Sequence, residues 1–184
     1  MHNNTHKTVV ITGATGGIGT HICAWLLNNG YVVLAACRSL DKWNKFLAQL
    51  QELKASTQQL KMVKVNLEDF ASIDEFVEEC KELSGSKIDV LINNAAILGP
   101  SPMPLLLDFP LDAFEDVWRN NVLNPFLVTK RVLPGMILRN EGSVINITSE
   151  AGNTGYAGWG AYGISKFAVE GLTETWADEL AETS

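Results

Sequence analysis

Tyr162 and Lys166 are four residues apart, and Ser149 lies thirteen residues before the tyrosine. Residues four apart on a helix share a face, so this phenol and this ammonium can act on one point. A free phenol titrates near pH 10, and proton exchange at neutral pH calls for roughly 4 kcal/mol of preferential phenolate stabilisation. A lysine cation alongside supplies part of it. A serine just past a strand can donate a hydrogen bond to an oxygen on which charge develops. Together the three suit proton exchange with the oxygen of a carbonyl or an alcohol. Taken singly, a Tyr and a Lys at this spacing are ordinary surface packing and Ser149 an ordinary strand-end serine. Their meaning depends on what precedes them.

What precedes them is a glycine loop, Thr12-Gly13-Ala14-Thr15-Gly16-Gly17-Ile18-Gly19, between an apolar run and a helical stretch. Glycines let a backbone turn tightly and approach a pyrophosphate, while a helix N-terminus offers free amides and partial positive charge. No Lys-Ser or Lys-Thr pair follows, which disfavours a P-loop for ATP or GTP.

The loop's G-x-x-x-G-x-G spacing departs from the G-x-G-x-x-G dinucleotide fingerprint and is similar to the T-G-x-x-x-G-[IL]-G loop of the short-chain dehydrogenases/reductases. Asn93-Asn94-Ala95-Ala96 resembles that family's N-N-A-G motif with Ala for Gly. Asn121 matches the catalytic asparagine, although Asn124 and Pro125 depart from N-V-x-G-x-F. Ser149, Tyr162 and Lys166 match the remaining catalytic positions. The resemblance runs over nearly the whole chain and rests on the order and spacing of the motifs together.

It implies NAD(P)-dependent interconversion of a carbonyl and an alcohol by hydride transfer, with Asn121, Ser149, Tyr162 and Lys166 catalytic. Lys166 would also hold the nicotinamide ribose, and Asn121 a proton-relaying water. The implied cofactor contacts are Thr12, Gly13, Thr15, Gly16, Gly17, Ile18, Gly19, Arg38, Asn66, Leu67, Asn93 and Ala95, with Tyr162 and Lys166. The second strand ends Ala35-Ala36-Cys37-Arg38-Ser39, without the acidic residue that usually bonds an NAD ribose. Arg38 can meet a 2′-phosphate with a charge-assisted fork, so NADP(H) is expected over NAD(H). Arg38 stacking beneath adenine, or facing solvent, is the alternative. Gly16 stands where NADP-type members often carry a second base, and Asn66 where an Asp usually meets the adenine amine.

These residues need a frame. Short β-rich apolar runs at 9–12, 32–36, 62–65, 90–92 and 144–148 read as five parallel strands buried on both faces. Amphipathic stretches alternate with them. Ile18, Ile22 and Leu26 mark one helical face that Gly30 ends, and further helices are expected over 41–54, 72–83 and 161–182. A long helical region over 111–139 is expected to be interrupted at Pro125 and Pro134. Strand alternating with helix predicts an α/β doubly wound parallel sheet of Rossmann type in a single domain spanning 1–184, with its ligand at the carboxyl ends of the strands.

Composition limits the partners. A chain of 184 residues with 46% hydrophobic and 19% charged residues can bury one sizeable core. Net charge −7 disfavours nucleic acid and anionic membranes. No apolar run approaches the ~20 residues that span a bilayer, and the first residues lack a signal peptide's apolar core. Three scattered cysteines suggest neither disulfides nor zinc, so a reducing cytoplasm is expected. His2 and His6 are spaced like a helical metal pair but lie in an Asn/Thr-rich tail with no third ligand, and His21 has no partner at ligand spacing. No metal is expected.

Family members usually continue into a sixth strand, a substrate-covering segment and a seventh strand, whereas this sequence ends at Ser184. The fifth strand is therefore expected to form an exposed sheet edge, and the site to lack one wall. Residues 98–107 and 150–160, with Tyr156 and Trp159, are the remaining candidates to face a small-molecule carbonyl or alcohol substrate. The helices around Asn121 and Tyr162 commonly form the family's dimer face, so a homodimer or homotetramer is expected, with Phe167 and Trp176 either at that contact or in the core. The rival reading is a truncated nucleotide-binding or interaction module, or a fragment of a longer enzyme.

Overall fold

The computed structural model describes residues 6–181. His2 and the far end of the last expected helix lie outside them. Five parallel strands, β1 (Thr8–Ile11), β2 (Val32–Cys37), β3 (Leu60–Lys64), β4 (Val90–Asn93) and β5 (Ser143–Asn146), form one sheet in the order β3-β2-β1-β4-β5. Strand order reverses at β1, whose neighbours are β2 and β4. The crevice outside the carboxyl ends of β1 and β4 is thus the topological switch point of a Rossmann-type sheet.

Side chains alternate across the sheet and build two cores. Val9, Ile11, Val33 and Ala35 point to one face, where α1 (Gly17–Asn28) and α2 (Leu40–Glu52) bury Cys23, Leu27, Phe46 and Leu50 against them. Val10, Leu34 and Val63 point to the other, covered by Ile73, Phe76 and Val77 of α3 (Phe70–Ser84) and by Val128 and Val132 of α5 (Asn124–Arg139). Full burial of a side chain such as Phe46 or Phe76 contributes roughly 1.5–3 kcal/mol. β1 is buried along its whole length, whereas β5, an edge strand, leaves Ile145 45% exposed. On its open side β5 borders a groove of about 360 Å³ between α5 and α6 (Gly160–Leu180).

Helix ends follow local chemistry. Gly30 takes φ +81 just past α1, as expected of its position. α2 stops at Glu52, short of the expected end, because Lys54 turns left-handed at φ 54. Asp69 accepts from the Ala71 amide to open α3, and Gly85 closes it at φ 61.

The prolines depart from expectation. Neither interrupts the region after α4 (Leu111–Trp118): Pro125 lies in the first turn of α5, where a missing donor is harmless, and α5 continues through Pro134 to Arg139. The irregularity falls earlier, in a π-helical turn at Arg119–Leu123 that carries Asn121. Pro125 has no N–H to return to the Asn121 carbonyl, so the regular i→i+4 ladder cannot form there.

Among the described residues no helix is long and apolar enough to cross a membrane, no set of three metal-ligating side chains converges, and all three cysteines are free and buried. His6 Nδ1 bonds the Gly30 carbonyl at 2.7 Å.

Candidate active site

The crevice at the switch point is a cleft of about 780 Å³. Its floor is the glycine loop. Gly13 takes φ +63, and a Cβ there would lie 2.8 Å from the Ala95 backbone. A Cβ on Gly19 would meet the Gly13 carbonyl oxygen at 2.2 Å. Both glycines are therefore required by close approach within the protein. Gly17 has open space in front of it, and Gly16 caps α1 without a side-chain hydrogen bond. The first amides of α1 are thus left for an anionic ligand, as a pyrophosphate would require.

The loop after β4 forms the next wall. Thr12 does not line the cleft; it is buried, and its Oγ1 accepts from the Asn94 and Ala95 amides at 3.1 and 3.2 Å. Asn94 Nδ2 donates to the Gly13 carbonyl at 2.9 Å, which ties the two loops together. Asn93, expected at the cofactor, does not line the cleft with its side chain. Its side chain is buried and turns away, with Nδ2 donating to Thr129 Oγ1 (2.9 Å) and Asn146 Oδ1 (2.8 Å). Alternation along the strand gives the cleft Asn94 instead, followed by Ala95, Ala96, Ile97 and Leu98.

Tyr162 and Lys166 line the same cleft as Thr15, Gly16, Gly17 and Ile18. Lys166 is buried; its Nζ donates to the Ile147 carbonyl at 2.7 Å and lies 5.6 Å from the centre of the Tyr162 ring. Burial pushes its pKa below the ordinary lysine value, an effect partly offset by the charge of Glu170. Trp159 packs on Tyr162 with ring centres 5.8 Å apart.

Asn121 lies behind this surface, not on it. Its Oδ1 accepts from the Ile97 amide (2.8 Å), and its Nδ2 donates to the Ile97 carbonyl (2.9 Å) and to Ser165 Oγ (3.0 Å). Ser165 Oγ in turn donates to the Tyr162 carbonyl at 2.7 Å. One buried amide therefore links the cleft loop, the π turn and the Tyr/Lys helix. Ser149 follows the cleft residue Thr148, and its hydroxyl accepts from the Ala151 amide at 3.3 Å to open a short 3-10 turn.

A smaller recess of about 160 Å³ shares Gly13, Thr15 and Lys42 with the cleft and reaches Arg38, Asn66, Leu67 and Glu68. Arg38 Nη1 donates to Glu68 Oε1 at 3.3 Å. Lys42, Lys45 and Gln49 also border the cleft, from α2. Sequence reasoning missed them, though positions 42, 45 and 49 share one helical face just after Arg38. It missed Ser165 as well, one residue before Lys166.

Residues 7–184 match the sequence profile described as short chain dehydrogenase. The chain is 33% identical over 176 residues to the 3-oxoacyl-[acyl-carrier-protein] reductase FabG of Staphylococcus epidermidis, covering 96% of this chain and 70% of that one. Among solved structures it is similar to ElxO with NADP bound (TM-score 0.87, 28% identity, 97% of this chain and 69% of that one). It is similar also to an NAD+-bound xylitol dehydrogenase (TM-score 0.86, 31% identity), of which it spans 66% against 97% of itself. The glycine loop, the switch-point cleft and the Tyr162/Lys166 pair thus occur in a chain that belongs to the short-chain dehydrogenase family.

Proposed function

We propose that the chain binds NADP(H) and acts in the interconversion of a carbonyl and an alcohol, with Tyr162 as general acid and base. The observation that carries this reading is that Tyr162 and Lys166 share one cleft with the uncapped glycine loop. A bound dinucleotide would supply the hydride in reduction and accept it in oxidation. Lys166, anchored on Ile147, holds its ammonium 5.6 Å from the centre of the Tyr162 ring, within reach of the same bound substrate. Tyr162 donates its proton to the substrate oxygen in reduction and takes one back in oxidation. Ser149, beside Thr148, steadies that oxygen by hydrogen bonding. Arg38 and Lys42 favour the phosphorylated dinucleotide by charge.

The test is titration of the protein with NADPH and NADH, followed by assays of NADPH oxidation with a panel of aldehydes and ketones. NADPH is expected to bind more tightly, and Arg38→Glu to reverse the order. Equal affinities in the unmutated protein would sink the cofactor assignment.

A second reading, a nucleotide-binding module without turnover, is favoured by the open substrate side. Tyr156 and Trp159 are 43% and 39% exposed. Dinucleotide binding without oxidation of NADPH by any carbonyl of the panel would support this reading over the first. We further propose self-association through the outer face of α6, where Ile164 and Phe167 are exposed, to be checked by sedimentation.

A further inference from the structure

Arg38 and Glu68 come from different turns, after β2 and after β3, and meet at 3.3 Å on the rim of the recess. Glu68 is placed by its own turn, in which its amide donates to Asn66 Oδ1 at 3.3 Å. Among the described residues, Arg38 and Lys42 are the cationic residues lining the recess, and Glu68 is the anionic one.

A carboxylate in this position acts on two kinds of ligand in opposite ways. A ribose 2′-phosphate at Arg38 must share the guanidinium with Glu68 and lie near its negative charge. A plain 2′-hydroxyl brings no charge and needs neither Arg38 nor the removal of Glu68. The two side chains are 58% and 60% exposed, so the pair is weak and screened, and it tempers phosphate binding without blocking it.

We propose that Glu68 is a specificity-determining residue: it competes with the 2′-phosphate for Arg38 and holds the preference for NADP(H) over NAD(H) below what Arg38 and Lys42 alone would give. The proposal rests on the dinucleotide reading of the cleft and concerns binding alone, so it does not depend on turnover.

The experiment is fluorescence titration of the whole chain with NADPH and with NADH, for the unmutated protein, Glu68→Gln, Arg38→Gln and the double variant. Glu68→Gln is expected to tighten NADPH about two- to fivefold, to leave NADH unchanged, and to lose its effect in the Arg38→Gln background. The gain should shrink as salt rises. An unchanged NADPH affinity, equal tightening of both nucleotides, or a gain that persists without Arg38 overturns the proposal. If the unmutated protein binds neither nucleotide, the dinucleotide reading falls and the proposal with it. If it binds NADPH and Glu68→Gln changes nothing, the proposal alone falls.

Discussion

Lys166 Nζ donates to the carbonyl of Ile147 at 2.7 Å, which fastens α6 to the chain leaving β5. The ammonium is buried, and burial pushes its pKa below 10.5. Below the lowered folded value the folded and unfolded chains both hold the proton, so the full cost of burying the charge is present. As pH rises through the lowered folded value towards 10.5, the folded chain gives up its proton first and the cost is relieved. The stability of the unmutated protein relative to Lys166→Met should therefore increase across that alkaline window. Urea melts at stepped pH measure it, and a flat or falling difference would count against burial as the cause.

Gly17 and Gly19 are close in sequence and opposite in tolerance. A Cβ on Gly19 would collide with the Gly13 carbonyl and crowd Asn94 Nδ2 at 2.9 Å, whereas one on Gly17 meets nothing within 4 Å. Gly19→Ala should cost about 1–3 kcal/mol in thermal denaturation and abolish dinucleotide binding. Gly17→Ala should leave stability unchanged or raise it by up to about 1 kcal/mol, while weakening binding because the new methyl faces the ligand. Equal destabilisation by both would contradict this packing.

Asn121→Ala removes the side-chain partner of both the amide and the carbonyl of Ile97, and that of Ser165. We expect a loss of about 1–3 kcal/mol in chemical denaturation, with a matching loss of dinucleotide affinity as Ile97 drifts from the cleft. Loss of stability with unchanged affinity would show that the linkage does not shape the cleft.

Asn124 is 2% exposed, and neither atom of its amide has a hydrogen-bond partner among the described residues. An apolar side chain of similar shape should do no harm there: Asn124→Leu is expected to be neutral or stabilising by up to about 1 kcal/mol. A clear drop in melting temperature would show that the amide is satisfied by water.

Five strands were legible because each is a short β-rich run between turn-forming residues. The glycine loop was legible because Gly13 and Gly19 answer to contacts within their own motif and its neighbouring loop. That Asn94 and not Asn93 lines the cleft was not legible, because two identical side chains follow one another and only the phase of the chain leaving β4 decides which faces it. The prolines misled because the same residue breaks a helix interior and suits a first turn, and the π turn before Pro125 has no composition of its own. Arg38 and Glu68, thirty residues apart, pair only because β2 and β3 are neighbours. A pairing of that kind has no trace in spacing.

The cleft gathers Gly13 after β1, Lys42 from α2, Asn94 after β4, Thr148 after β5 and Lys166 from α6. Any ligand that touches all of these acts as a reversible cross-link between segments that separate only when the sheet comes apart. Occupancy and folding are then one linked equilibrium, in which a hundredfold excess of ligand over its Kd adds about 2.7 kcal/mol to the unfolding free energy.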